Sequence, residues 1–253
     1  MMGPMHRRGA RRIGVPHAPP TAWQCWLQDH VRPAGQPLVR AHERLVVLAP
    51  HPDDEVLACA LLMQQHAARG GALHILGATD GEASHGEEGA LVQQLQQARC
   101  AERREGLARL GLGQVPVTPL HLPDGGVSGA GARLHALLMQ FLRPGDVLLT
   151  TWRLDGPPDH ECCGRVACDV ARRLGLRLLQ APVWMWHWAE PGCARIDWPA
   201  LRSIGAPRQA VEAKAWALQA HRSQLLPRPG GRPPVLDAAI VERAGWAREY
   251  FFL

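Results

Sequence analysis

The stretch Leu45-Val46-Val47-Leu48-Ala49-Pro50-His51-Pro52-Asp53-Asp54-Glu55 decides how this chain is read. Leu45 to Leu48 is an apolar strand, and the pattern that follows opens a helix near Asp54. A histidine, two aspartates and a glutamate therefore crowd the point where a strand hands over to a helix N-terminus. Burying such groups unpaired costs several kcal/mol each, to order of magnitude. A metal ion offsets that cost, because imidazole and carboxylate are usual ligands of Zn²⁺. Taken alone, the motif also suits helix capping, since Asp is a good N-cap and acidic groups favour the positive end of the helix dipole.

Working outward, short apolar runs alternate with segments of helical period. Strands are expected at Leu73–Ala78, Val117–Leu122 and Asp146–Trp152, with one or two more inside Leu176–Trp188. Helices are expected at Asp54–Arg69, Leu91–Leu110, Arg133–Leu142, Asp159–Leu174, Pro207–Arg222 and Leu236–Arg248, with a short one in Thr21–Arg32. This alternation predicts an α/β, Rossmann-like fold: a mostly parallel sheet with helices on both faces and the site at the carboxyl ends of the strands. In the common doubly wound orders the first and fourth strands, or the first and third, are neighbours at the switch point. The loop at Asp53-Asp54 and the loop Arg153–His160 then face each other across one crevice.

The second loop carries Pro158-Asp159-His160 at another helix start. His51, Asp54 and His160 together make a set of two histidines and one carboxylate, the ligand count of a catalytic zinc with a position left for water. Such an ion lowers the pKa of water to about 7 and polarises a carbonyl. Asp53, beside it, is free to take the proton and return it to a leaving amine.

The 253 residues suit one domain: a basic tail and short helix over residues 1–40, then the α/β domain over 41–253. The formal charge of +5 does not argue for nucleic acid, because Lys214 is the only lysine and the arginine excess accompanies Ala, Gly and Pro, as in a GC-rich genome. No apolar run is long enough to span a bilayer. The N-terminus, with Arg7, Arg8, Arg11 and Arg12, lacks the apolar core of a secretion signal. Seven cysteines, odd in number and without CxxC spacing, read as small apolar residues in a reducing cytoplasm.

These motifs resemble the PIG-L/LmbE-like family of zinc-dependent N-acetylglucosaminyl deacetylases. The likeness runs from Arg44 to about Gln224, through Ala49–Glu55, Thr79-Asp80-Gly81-Glu82, Arg99 with Glu102, Pro158-Asp159-His160 and His221-Arg222-Ser223-Gln224. It implies zinc on His51, Asp54 and His160, Asp53 as general base, and Asp80 and Arg99 near the substrate. The substrate implied is a small molecule or glycoconjugate with an N-acylated, foremost N-acetylated, amino sugar. Many members carry a histidine three residues before the ligand histidine, where this chain has Pro157. Proline donates no hydrogen bond. His187, in Trp184-Met185-Trp186-His187-Trp188, and Arg153 are the candidates to replace it. The three tryptophans alternate with strand period and are expected on one face. Loss of that histidine also suits a metal-binding, non-catalytic sugar binder of the same fold.

Overall fold

The computed structural model describes residues 14–86 and 89–253, so the arginines of the basic tail, Glu87 and Glu88 lie outside the described residues. The first strand, β1 (Leu45–Ala49), is buried at all five positions. Its side chains divide by parity: Leu45, Val47 and Ala49 enter one core layer, Val46 and Leu48 the other. A strand apolar on both faces belongs in the middle of a parallel sheet. There it lies, paired in parallel with β2 (Leu73–Gly77) and β4 (Val147–Thr151). β3 (Val117–Pro119) extends the sheet beyond β2, and β5 (Arg177–Ala181) extends it beyond β4. The order is β3-β2-β1-β4-β5-β7-β6, in which β6 (Leu201–Gly205) and β7 (Arg248–Phe252) are antiparallel to each other and β7 is antiparallel to β5.

The helices are α1 (Pro20–His30), α2 (Asp54–Ala68), α3 (Ala90–Arg109), α4 (Gly131–Phe141) and α5 (Pro158–Leu174). After them come α6 (Met185–Trp188), α7 (Arg208–Leu218), α8 (Arg222–Leu225) and α9 (Ala238–Ala244). α2, α7 and α9 cover one sheet face, and α4 and α5 cover the other. α1 packs through Trp23 and Leu27 into a third cluster, where Trp23 Nε1 donates to the Trp186 carbonyl.

Two expectations are corrected. Leu176–Trp188 holds one strand, within the one or two expected, but its end, expected to alternate as a strand, is a helical turn. The cause is the buried Asp155 carboxylate, which accepts hydrogen bonds from the backbone N–H groups of Val183, Trp184 and Met185. Successive N–H groups converge on one acceptor only at a helix start, whereas along a strand they alternate. The tryptophans therefore do not share a face: Trp186 and Trp188 enter the core, and Trp184 turns to the cavity described below. Likewise, the expected helix Leu236–Arg248 is only the seven residues of α9, and Arg248–Phe252 is the strand that closes the sheet. Its N-cap is Asp237, whose carboxylate accepts from Ile240 N at 2.9 Å.

Candidate metal centre

The strand order reverses between β1 and β4, and the loops at their carboxyl ends meet there. After β1 the chain turns through Pro50 and Pro52 into the first turn of α2, which carries Asp53, Asp54 and Glu55. After β4 it runs through Asp155 and Pro157 into α5, which carries Asp159 and His160. α5 lies hard against β4: a Cβ on Gly164 would stand 2.5 Å from Arg153 N and 2.8 Å from the Thr151 carbonyl. Only glycine lets the helix approach so closely, and that approach sets the depth of His160.

Three donor atoms converge in this corner. His51 Nδ1 lies 3.2 Å from Asp54 Oδ2 and 3.2 Å from His160 Nε2, and His160 Nε2 lies 3.3 Å from Asp54 Oδ2. A tetrahedral ion with bonds of about 2.0–2.1 Å separates its ligand atoms by about 3.3 Å. The triangle has the edge such an ion requires.

The second nitrogen of each ring completes the fit. His160 Nδ1 is 2.9 Å from Asp155 Oδ2, and His51 Nε2 is 3.2 Å from Asp124 Oδ1 and 3.4 Å from Asp159 Oδ2. A carboxylate behind each imidazole fixes the tautomer that leaves the inward nitrogen free for a metal. Asp159 is itself held by the N–H groups of Gly125 and Val127.

The electrostatics agree. Burial opposes charge on both rings, yet the carboxylates prevail: Asp124, Asp159 and Asp54 raise His51 well above its usual range, and Asp54 and Asp155 raise His160 to about 9. Burial also opposes charge on Asp54, but His160 and His51 hold it far below the ordinary carboxylate range. The corner favours positive charge, which a divalent ion would supply.

Asp53, adjacent to Asp54, faces Arg99 instead. Arg99 Nη2 donates to Asp53 Oδ2 at 3.1 Å and to the Pro52 carbonyl at 3.2 Å, and Nη1 donates to the Gly81 carbonyl at 3.0 Å. A Cβ on Gly81 would lie 2.2 Å from Nη1, and Gly81 has φ +73°, so only glycine fits on both counts. Burial raises the Asp53 carboxyl to about 7, with Arg99 pulling it down and Asp54 pushing it up.

These groups line a cavity of about 250 Å³ with Leu57, Ser84, Asp124, Pro157, Trp184, Gln224 and Leu236. Of the residues expected at the site, His51, Asp53, Asp54, His160 and Arg99 line it together. The others do not. Asp80 is buried beside the cavity, accepting from Gln96 Nε2 and pairing with His121 Nδ1, each at 2.7 Å. Arg153 is exposed and donates to Gln180 Oε1 at 3.2 Å. His187 is turned inward by α6, with Nε2 3.0 Å from Asp237 Oδ2 and Nδ1 2.7 Å from Arg243 Nη2. Both of its ring nitrogens are engaged away from the cavity, so the strand-end position expected for it does not exist.

The sequence carries no local signal for Asp155, Asp124 or Leu57 as site residues, and it marks Trp184 only within an alternating aromatic run and Gln224 only within a C-terminal motif. Asp155 stands five residues before His160, but nothing local marks it as its partner. Asp124 sits in Pro123-Asp124-Gly125-Gly126, which reads as turn chemistry alone. Gln224 is placed by Glu102, whose carboxylate accepts from Ser223 N at 2.8 Å and Ser223 Oγ at 2.7 Å.

Residues 46–171 match the family profile described as PIG-L: GlcNAc-PI de-N-acetylase. No curated protein sequence matches significantly. Similar solved structures include the conserved protein TT1542 from Thermus thermophilus, at 25% identity and a TM-score of 0.54, over 79% of this chain and 84% of that one. The A40926 pseudoaglycone deacetylase Dbv21 shares 19% identity with a TM-score of 0.57, over 83% and 96%. GalB, a 4-carboxy-2-hydroxymuconate hydratase from Pseudomonas putida, shares 16% identity with a TM-score of 0.53, over 80% and 82%. A fold shared by a deacetylase and a hydratase does not choose a reaction, so the donor set and the profile must. On both, with the profile spanning β1 to α5 and therefore every metal-corner residue, the chain belongs to the PIG-L family of de-N-acetylases.

Proposed function

We propose that this protein is a zinc-dependent amidohydrolase that removes an N-acyl group, N-acetyl foremost, from a substrate containing an amino sugar. The observation that carries the reading is the donor triangle of His51, Asp54 and His160 with an uncoordinated, arginine-held Asp53 beside it. Two imidazoles and one carboxylate at this spacing suit zinc, and when bound the ion acidifies water and polarises the amide carbonyl. Asp53 takes the proton from the attacking water and returns it to the amine nitrogen as the C–N bond breaks. It is buried beside the Arg99 guanidinium, which holds it in place for both transfers. Arg99 fixes the carboxylate that makes them, and Asp155 fixes His160. Ser84, Asp124 and Gln224 supply polar groups to the cavity wall, in keeping with a hydroxyl-bearing substrate.

Pro157 lines the cavity, and neither His187 nor Arg153 reaches it. That supports the second reading, a metal-binding but non-catalytic sugar binder. One experiment separates the two: amine release from N-acyl glucosamines, with and without chelator, alongside elemental analysis. Release that chelator abolishes, with one zinc per chain, supports the hydrolase. One bound metal with no release supports the binder. We also place the protein in the cytoplasm, on its seven free thiols. No helix among the described residues is long and apolar enough to cross a membrane.

A further inference from the structure

The cavity has two unlike flanks, which meet where Leu236 N donates to the Gln224 carbonyl at 3.0 Å. Loops after β2 and β3, on one side of β1, bring Ser84 and Asp124. Gln224 joins them, with Nε2 donating to Ser84 Oγ at 3.3 Å. On the other flank α2 brings Leu57, the turn after β5 brings Trp184, and the segment before α9 brings Val235 and Leu236. Leu57 and Trp184 pack against the same core cluster that holds Leu236.

The apolar flank begins at the reacting corner, not at the mouth. Leu57, in the first turn of α2, lines the same cavity as Asp53 and Asp54 at the helix start. The Trp184 N–H donates at 2.9 Å to Asp155, the carboxylate that also holds His160. A scissile amide held at this corner has two substituents, and they must divide between the flanks. Sugar hydroxyls pressed against Leu57, Trp184 and Leu236 would lose water and gain no partner. The acyl methyl of an acetyl group would touch only part of a wall made of Leu57, Trp184, Val235 and Leu236.

We propose that the flank formed by Leu57, Trp184, Val235 and Leu236 is an acyl pocket, and that the enzyme prefers N-acyl groups bearing an apolar chain of several carbons over N-acetyl. The inference rests on the amide-hydrolysis reading and departs from it in one respect: the favoured acyl group is longer than the acetyl named there.

The test is a series of N-acetyl-, N-butanoyl- and N-hexanoylglucosamine with the full-length, zinc-loaded protein, and calorimetry of the same amides on chelator-treated protein. Each added methylene that leaves water for the pocket should raise kcat/KM about fourfold. Leu57→Ser and Trp184→Ala, each checked for folding by circular dichroism, should collapse the hexanoyl-to-acetyl ratio. Turnover with a flat or falling series overturns the acyl pocket and leaves the hydrolase standing. A gain that appears only when the alkyl chain is moved to the anomeric oxygen overturns it as well. If no amide is cleaved, the hydrolase reading fails and calorimetry decides: tighter binding of the hexanoyl amide upholds the pocket, and equal binding overturns it.

Discussion

Two groups of buried carboxylates lie along α2, and they differ in what their charges face. At the helix start, Asp53 and Asp54 point toward a cavity, and Asp54 converges with two imidazoles on a common point. Farther along, α2 kinks at Cys59 (φ −151°, ψ 21°), and Glu249 from β7 accepts from the N–H groups of Leu61 and Leu62 at 2.9 and 3.0 Å. Lys214 Nζ lies 2.7 Å from the same carboxylate. Glu249 thus acts as an internal helix cap with its counter-ion supplied, and its environment asks for nothing more. Burial of charge is common to both places and marks neither as a site. What marks the first is donors aimed at a shared point beside open volume.

The largest effect expected from breaking this contrast falls on turnover. Asp53→Asn, nearly isosteric, should retain the metal and lose about 10²–10⁴ in kcat, as loss of a general base commonly does. Steady-state rates with zinc content measured on the same sample check it, and normal turnover would remove Asp53 from the mechanism.

Glu249→Ala should act on stability instead. It leaves Lys214 buried without its partner and uncaps the kink, at a cost of about 3–5 kcal/mol in urea unfolding, while zinc stoichiometry of the folded protein stays at one. A metal loss as large as the stability loss would merge the two regions that the structure separates.

Asp155→Asn tests a carboxylate that serves both purposes, since it orients His160 and shapes the turn that carries Trp184. Metal affinity should fall about 10- to 100-fold in chelator competition, with the protein still folded.

The smallest effect concerns pH. Burial, with Arg99 and Arg103 nearby, lowers the His221 imidazole to about 3. The unfolded chain takes up this proton near pH 6.5, and the folded protein does so only near 3, so stability falls as pH falls between those values. The slope is at most about 1.4 kcal/mol per pH unit from this group. In chelator, His221→Gln should flatten the acid side of the urea-midpoint profile by about one proton. An unchanged slope would assign the acid sensitivity elsewhere.

The pattern of residues along the chain was enough for β1 to β5 and the helices between them, which follow from apolar periodicity written locally. The meeting of the two loops was one outcome of the common doubly wound orders, which leave the neighbour of the first strand open between the fourth and the third, and the fold settles it as β4. His51, Asp53, Asp54 and His160 stood out as candidates because each stands at a strand-to-helix junction, and the fold brings them together. The remainder was decided in three dimensions. The stretch Trp184–Trp188 alternates as a strand would, yet a carboxylate thirty residues earlier gathers its N–H groups into a helical turn and sends His187 inward to Asp237 and Arg243. β6 (Leu201-Arg202-Ser203-Ile204-Gly205) and β7 (Arg248-Glu249-Tyr250-Phe251-Phe252) carry polar and charged residues where β1 is continuously apolar, and their antiparallel pairing over five positions is set in three dimensions. Asp155 and Asp124 gain meaning only from the ring nitrogens they face, and Leu57 only from the cavity it borders. A hydrogen-bond partner or a cavity wall is a relation between distant segments, and that relation comes into being when the chain folds.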